Sequence, residues 1–313
     1  MTLSLAFEIG LVTLLLIVAA WTVIARDAVV AVIIFVVDGL LLSLVWVRLA
    51  AVDVALTEAA IGSGVTGMLL LGAAMRLSGA EPIAKPVGPV TFVAAAVLCT
   101  TISAGLASIV LFPPQTVRTL APLAMAHLAD SGLGNPVAGV LFVYRALDTL
   151  LEKVVLLLAL IGVWSLAPDR AWGGAPGLRL YAHPEGILVF LARVLPPLGI
   201  VVGLYMCWVG ADHPGGAFQG GAVLAAMWLL VMIAGLEHVP PISRRWVRWL
   251  LVVGPVSFLA IGLAGSVLAG AFLAYPAGYA KPLIVVIEVT LTFSIAVTLG
   301  LLTAGPPEQM AQP

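Results

Sequence analysis

The stretch VYRALDTLLEKVVLLLALIGVW, residues 143–164, decides the fold: it has the length and apolar character of a bilayer-spanning helix, yet carries Arg145, Asp148, Glu152 and Lys153. Each ionised group at membrane depth costs at least ~2.5 kcal/mol on insertion scales, so such a cluster persists only where the charges neutralise one another or serve ion movement. On an α-helix, residues three, four and seven apart share a face, which places Arg145, Asp148 and Glu152 in one stripe. Lys153 lies about 100 degrees round from Glu152 and faces a different neighbour. One reading is a static ladder of ion pairs that fixes helix register. The other is a relay in which a carboxylate exchanges protons with the neighbouring lysine or with water.

Working outward, 62% of the 313 residues are hydrophobic and 9% are charged, against ~25% charged in an average soluble domain. That balance predicts an all-α, polytopic transmembrane helical bundle with no separate soluble catalytic domain. At about 20 residues per span there is room for about nine helices. Hydropathy places them near residues 3–24, 28–49, 54–77, 90–112, 137–167, 187–208, 217–236, 247–270 and 282–304. A formal net charge of -1 and the absence of basic runs speak against nucleic-acid binding. The two cysteines, Cys99 and Cys207, fall inside apolar segments, so neither a disulfide framework nor a zinc or iron–sulfur site is expected, and no cofactor. The apolar N-terminus has no basic n-region and reads as a first span rather than a signal peptide.

Arg26, Arg76, Lys85, Arg170, Arg179, Arg244, Arg245 and Arg248 fall on one side of the predicted membrane, and Arg48, Arg118 and Lys281 on the other. By the positive-inside rule the first side is cytoplasmic, the N-terminus is outside and the C-terminus inside. Two connections exceed ordinary turn length, residues 113–136 outside and 167–186 inside. They divide the chain into blocks of three, two and four helices if the first block is cut after Leu77. Leu120, Leu123 and Leu128 recur at roughly helical spacing and predict a short interfacial helix in the first connection. The second, rich in Gly and Pro, reads as a linker.

Other ionisable groups lie at membrane depth: Asp38, Glu58, Arg193 and Glu288, with Glu8 near an interface. Each alone is explained by snorkelling or local pairing. Together they suit a hydrated polar path, because no single side chain spans the ~30 Å hydrocarbon core. Small residues at Gly262, Ser266 and Gly270, and at Gly62, Gly64 and Gly67, suit close helix packing rather than ligand binding. Pro196, Pro197 and Pro255 are expected to kink or unwind their spans. The segment GADHPGGAFQGG, residues 210–221, joins turn-forming glycines to Asp212 and His213 as polar tips. It lacks the lysine and preceding strand of a phosphate-binding loop, and one Asp-His pair is weak evidence for a metal, so none is expected.

These residues resemble a family. DVALTEAAIGSGVTGMLLL, Asp53 to Leu71, resembles the membrane domain of the MbhD component of membrane-bound hydrogenases, which also occurs near the C-terminus of the MrpA component of Mrp antiporters. Asn135 followed by Arg145, Asp148, Thr149 and Glu152 resembles the MbhE component of the same hydrogenases. Gly210, Pro214, Gly215, Gly216, Phe218, Gly220 and Gly221 resemble the loop of the MrpB component of Mrp antiporters, with Ala211, Asp212 and Ala217 departing from its His, Asn and Gly. Lys153 follows the family glutamate. The three motifs stand in the family's usual order, so the chain resembles a fusion of an MrpA tail with MrpB. Its implied divisions are residues 1–80, 81–170 and 180–313.

The resemblance implies a non-catalytic, multi-pass subunit of a monovalent cation/proton antiporter in the cell inner membrane. Lipid, protons, a monovalent cation (sodium foremost) and antiporter-like membrane subunits are its expected partners. The large antiporter-like module of a full MrpA is not expected in this chain, which then needs those partners to transport ions. The ion or proton path is expected to use Asp38, Glu58, Arg145, Asp148, Glu152, Lys153 and Glu288, beside the loop residues Asp212, His213, Pro214, Gly215, Gly216, Phe218, Gly220 and Gly221. A related hydrogenase-type or carbon-uptake pump, or a purely structural scaffold, is the alternative. A stand-alone transporter is disfavoured because no internal repeat is evident.

Overall fold

A computed structural model describes residues 2–77, 88–112, 119–177 and 186–307. Lys85, Arg118 and Arg179, three of the charges that assign sides, lie outside the described residues, as do the expected boundaries between blocks near residues 80 and 180. Helices α1 (Thr2–Ile24) and α2 (Ala28–Arg48) form a hairpin whose second member is capped by Asp27, its Oδ1 accepting the Val30 N–H at 2.9 Å. The third crossing is composite: α3 (Val52–Thr57), a π-helical segment Glu58–Val65 and α4 (Thr66–Leu77). Helix α5 (Pro89–Leu111) follows, and α6 (Ala121–Ala126) is the short helix expected in the first long connection.

The charged crossing is also broken. It runs through α7 (Pro136–Gly139), a π turn Val140–Tyr144, and α8 (Ala146–Trp164). The last block contains α9 (Ile187–Val209), α10 (Ala217–Ile233), α11 (Arg245–Leu268) and α12 (Ala280–Ala304). Among the described residues there is no β-strand beyond an isolated Pro176–Pro307 bridge. Among the described residues, seven helices are long and apolar enough to cross a membrane. The other two predicted crossings are the charged α8 segment and the 17-residue α10.

Helix α12 is the hub. Ile284, Ile287 and Leu291 are fully buried in one core, and Leu301 is fully buried in a second with residues of α8 and α11. Pro196, Pro197 and Pro255 lie inside continuous helices, so the interruptions sit elsewhere, in the proline-free segments 58–65 and 140–144. Gly262 packs on the side chains of Phe272 and Leu273 from the connection that follows its own helix. The helix-to-helix approach in α11 is made instead by Gly254, where a Cβ would come 2.9 Å from both Leu291 Cδ2 and Ser294 Cβ of α12.

Hydrogen bonds sort several loops into two sets. The Gly134 and Asn135 amides both donate to Ala211 O, and Lys281 pairs with Asp212, which gathers the first long connection with the 210–216 and 271–281 loops. On the other side, the Ile242 and Ser243 amides donate to Gly174 O and Gly173 O, and Gly177 N–H donates to Pro306 O. The start of α1 and the end of α2 meet through Glu8 and Arg48 at 2.5 Å. These groupings match the loop sides expected from charge. A cysteine placed near Arg244 is expected to react with an impermeant maleimide only from the cytoplasm, and one near His213 only from outside. Reversed labelling would overturn the orientation.

Candidate functional site

Local backbone chemistry builds the site. Arg145 has φ -130 and ψ 35, outside helical geometry, and its N–H bonds back five residues to Val140 O at 2.8 Å. Such a break releases carbonyls that membrane lipid cannot satisfy. The Thr149 hydroxyl donates to Leu141 O at 2.6 Å, and the Tyr275 hydroxyl donates to Phe142 O at 3.1 Å. Thr149 in the RALDT run is therefore a backbone partner for its own helix break. Phe142 packs on Phe258 of α11, ring centroids 5.9 Å apart, which anchors the π turn in the core.

The glycine segment is the second component. Gly215 and Gly216 have φ of 150 and 112, in the region that favours glycine. A Cβ at Gly220 would lie 2.6 Å from Gly203 O, and one at Gly221 would lie 2.9 Å from Thr292 O, so these glycines let α10 lie against α9 and α12. Three side chains from other blocks hold the segment. Asn135, 4% exposed, donates through Nδ2 to Gly210 O and His213 O, both at 3.1 Å, while its Oδ1 caps the Val137 N–H at 2.9 Å. Asp53 Oδ1 accepts the Gly215 N–H at 2.9 Å, and Gln219 Nε2 donates to Thr57 Oγ1 at 3.0 Å. The loop thus joins all three helix blocks.

Beneath it lies a cavity of about 350 Å³, bordered by Asp53, Asn135, Glu152, Lys153, Phe218 and Glu288 among others. Lys153 is 3% exposed; its Nζ makes no hydrogen bond and lies 2.9 Å from the centroid of the Phe218 ring. A desolvated ammonium gains about 2 kcal/mol from such a ring. Glu288 is 2% exposed, and its Oε2 has no hydrogen-bond partner. At the loop, Asp212 accepts from Lys281 Nζ at 2.7 and 2.8 Å, and this bond holds its carboxyl below the usual carboxylate range.

The predicted residues therefore separate into three places. Glu152, Lys153 and Glu288 line the cavity with Gly215, Gly216 and Phe218. Arg145 forks onto Asp148 on an exposed face of α8, its Nε 2.5 Å from Oδ2. Arg145 stands at the break, yet its expected pairing with Asp148 is present, and Asp148 and Glu152, four apart on α8, are both exposed. Glu58 lies at the α2–π-segment contact, where a Cβ on Gly39 would lie 3.3 Å from its Oε1, and Asp38, one residue before Gly39 on α2, has its Oδ1 sealed without a partner. His213 serves through its carbonyl, Pro214 lies in the turn, and Arg193 is exposed on α9.

Residue-by-residue reading missed the roles of Asp53, Thr57 and Gln219. The signal was available in Asp53 and Thr57, four apart on one helical face, and in a lone amide side chain amid glycines. Among the described residues no three His, Cys, Asp or Glu side chains converge as metal ligands.

Residues 13–79 match the MbhD family of MBH subunits, and residues 187–304 match a domain related to MnhB subunit of Na+/H+ antiporter. The uncharacterized protein MJ1307 of Methanocaldococcus jannaschii is 30% identical over 162 residues, 47% of this chain and 62% of that protein. A chain of the Mrp complex from Dietzia sp. DQ12-45-1b shares the fold with a TM-score of 0.74 at 24% identity, over 97% of this chain and 35% of that one. A chain of the membrane-bound sulfane sulfur reductase, an archaeal respiratory membrane complex, aligns with a TM-score of 0.54 at 23% identity, covering 68% of this chain and 97% of that one. This chain spans about a third of the length of the Mrp chain and less than two thirds of the archaeal relative.

Proposed function

Because this multi-pass membrane chain joins an MbhD-related segment to an MnhB-related one on the fold of an Mrp-complex chain, we propose that it is a non-catalytic subunit of a multi-subunit Mrp-type cation/proton antiporter in the cell membrane. It lines part of the ion path and couples neighbouring subunits, with sodium the foremost candidate for the monovalent cation. Residues 1–80, 81–170 and 180–313 are its three modules, the middle one related to the MbhE component of membrane-bound hydrogenases.

The observation that carries the ion-path role is the cavity where the three blocks meet, with buried Lys153 and Glu288 both facing it. Buried charges without direct partners are costly, and in membrane proteins they mark ion routes. Need for partner subunits is supported by α5, which buries none of its 23 residues within the described chain, and by the exposed Arg145–Asp148 pair on α8. Likeness to a chain of the sulfane sulfur reductase favours a second reading, a membrane arm of a redox-linked complex.

Affinity purification from native membranes separates the two. The chain is expected to elute with antiporter-like membrane subunits and no soluble redox subunits. Co-purifying redox subunits would favour the second reading, and a monodisperse monomer that transports ions in liposomes would overturn both.

A further inference from the structure

Two opposite charges face the cavity without closing on each other. Lys153 from α8 rests over the Phe218 ring, 2.9 Å from its centroid. Glu288 from α12 lies against the loop backbone, where a Cβ on Gly210 or Gly216 would come within 2.9 or 3.2 Å of Oε1. A static structural pair would bring ammonium and carboxylate together, since each is otherwise left buried without a partner.

The surroundings sharpen the asymmetry. Asp53, from the third crossing, borders the same cavity as Glu288, and Asp212 stands in the loop that Glu288 lies against. Asp53 is bound to the Gly215 amide, and Asp212 is engaged by Lys281. On α8, Glu152 is beside Lys153 and borders the same cavity. Glu288 is thus an unpartnered carboxylate in an acidic setting, with space beside it for a chain of waters at ~30 Å³ each. With Asp53 engaged by the Gly215 amide and no convergence of three ligating side chains among the described residues, the site suits a singly charged ion better than a divalent one.

Resting on the ion-path reading above, we propose that this cavity binds one small monovalent cation, a proton or an alkali ion, at the Glu288 carboxylate, with the Lys153 ammonium as its displaceable internal counter-ion. Phe218 gives the ammonium a resting place when the carboxylate holds its cation. When the cation leaves, the four-carbon stem lets the ammonium move into the cavity toward Glu288. Where sodium replaces a proton, the carboxyl O–H breaks and the proton passes to a cavity water as its new O–H bond; where the ammonium replaces an alkali ion, no covalent bond changes.

Infrared difference spectroscopy of the purified full complex tests this, with sodium chloride exchanged for choline chloride at fixed pH. Sodium is expected to remove a carboxylic-acid carbonyl band that Glu288→Gln lacks. Lys153→Gln removes the competing ammonium and is expected to lower the sodium concentration for half-response by roughly tenfold. A band indifferent to sodium but lost as pH rises, and absent in Glu288→Gln, assigns the site to the proton alone. No Glu288-dependent band under either change would overturn the proposal. If Glu288→Gln fails to assemble, Glu288→Asp decides: a shifted band supports the assignment and an unshifted one overturns it. A sodium-sensitive Glu288 band together with normal transport in Glu152→Gln would leave the binding site standing while the ion-path role of α8 fails.

Discussion

Glu152→Gln is expected to leave the complex at normal levels while reducing cation-driven proton exchange by at least about a hundredfold, the lower range for loss of a positioned acid–base group. The substitution retains shape and one acceptor oxygen but removes the group that gains and loses charge. Its tolerance in assembly follows from the geometry: the Arg145 guanidinium is committed to Asp148, so Glu152 is not the partner that neutralises it. Its effect on transport follows from position, because Glu152 borders the cavity immediately before Lys153. Ion flux in inverted vesicles, normalised to complex measured by blotting, checks the prediction. Normal flux at normal complex levels would reduce the α8 charges to a structural ladder.

Much of the fold was legible because hydropathy reports burial in lipid directly. The short helix at Ala121–Ala126, the bundle and the grouping of the loops all came from composition, periodicity and charge. The first π segment left a local signal in Gly62, Ser63 and Gly64, whose glycines read as packing residues, whereas the second was not legible because nothing in Val140–Tyr144 breaks a helix locally. The cost of the second is met at a distance, by Thr149 and Tyr275 supplying hydroxyls to Leu141 O and Phe142 O. Prolines, the obvious breakers, sit inside continuous helices instead.

The candidate site shows the same division. That Lys153 would face away from Glu152's neighbours follows from about 100 degrees per residue. That it would meet Phe218 depends on long-range packing of α8 against the start of α10, which no local pattern encodes. Charge alone also grouped Asp38 and Glu58 with the path, but could not tell that Glu58 meets α2 at Gly39 while Glu152, Lys153 and Glu288 border the cavity.

Asn135→Ala is expected to give the largest loss of stability of any single polar-to-alanine substitution at the loop. Three backbone groups depend on that side chain: the Val137 N–H, Gly210 C=O and His213 C=O. A buried backbone group left unmade costs about 1–3 kcal/mol, so the sum is a large part of the roughly 5–15 kcal/mol that holds a typical domain together. Asn135→Asp separates capping from clamping. It keeps an acceptor for Val137 N–H but turns an oxygen, in place of the amide nitrogen, toward two carbonyls. The expected order of thermal stability for the detergent-solubilised complex, followed by size-exclusion after heating, is wild type, then alanine, then aspartate. Alanine matching wild type would show that the loop is held by Asp53 and the Ala211 backbone bonds alone. Aspartate matching wild type would show that the cap, rather than the clamp on Gly210 and His213, is what Asn135 contributes.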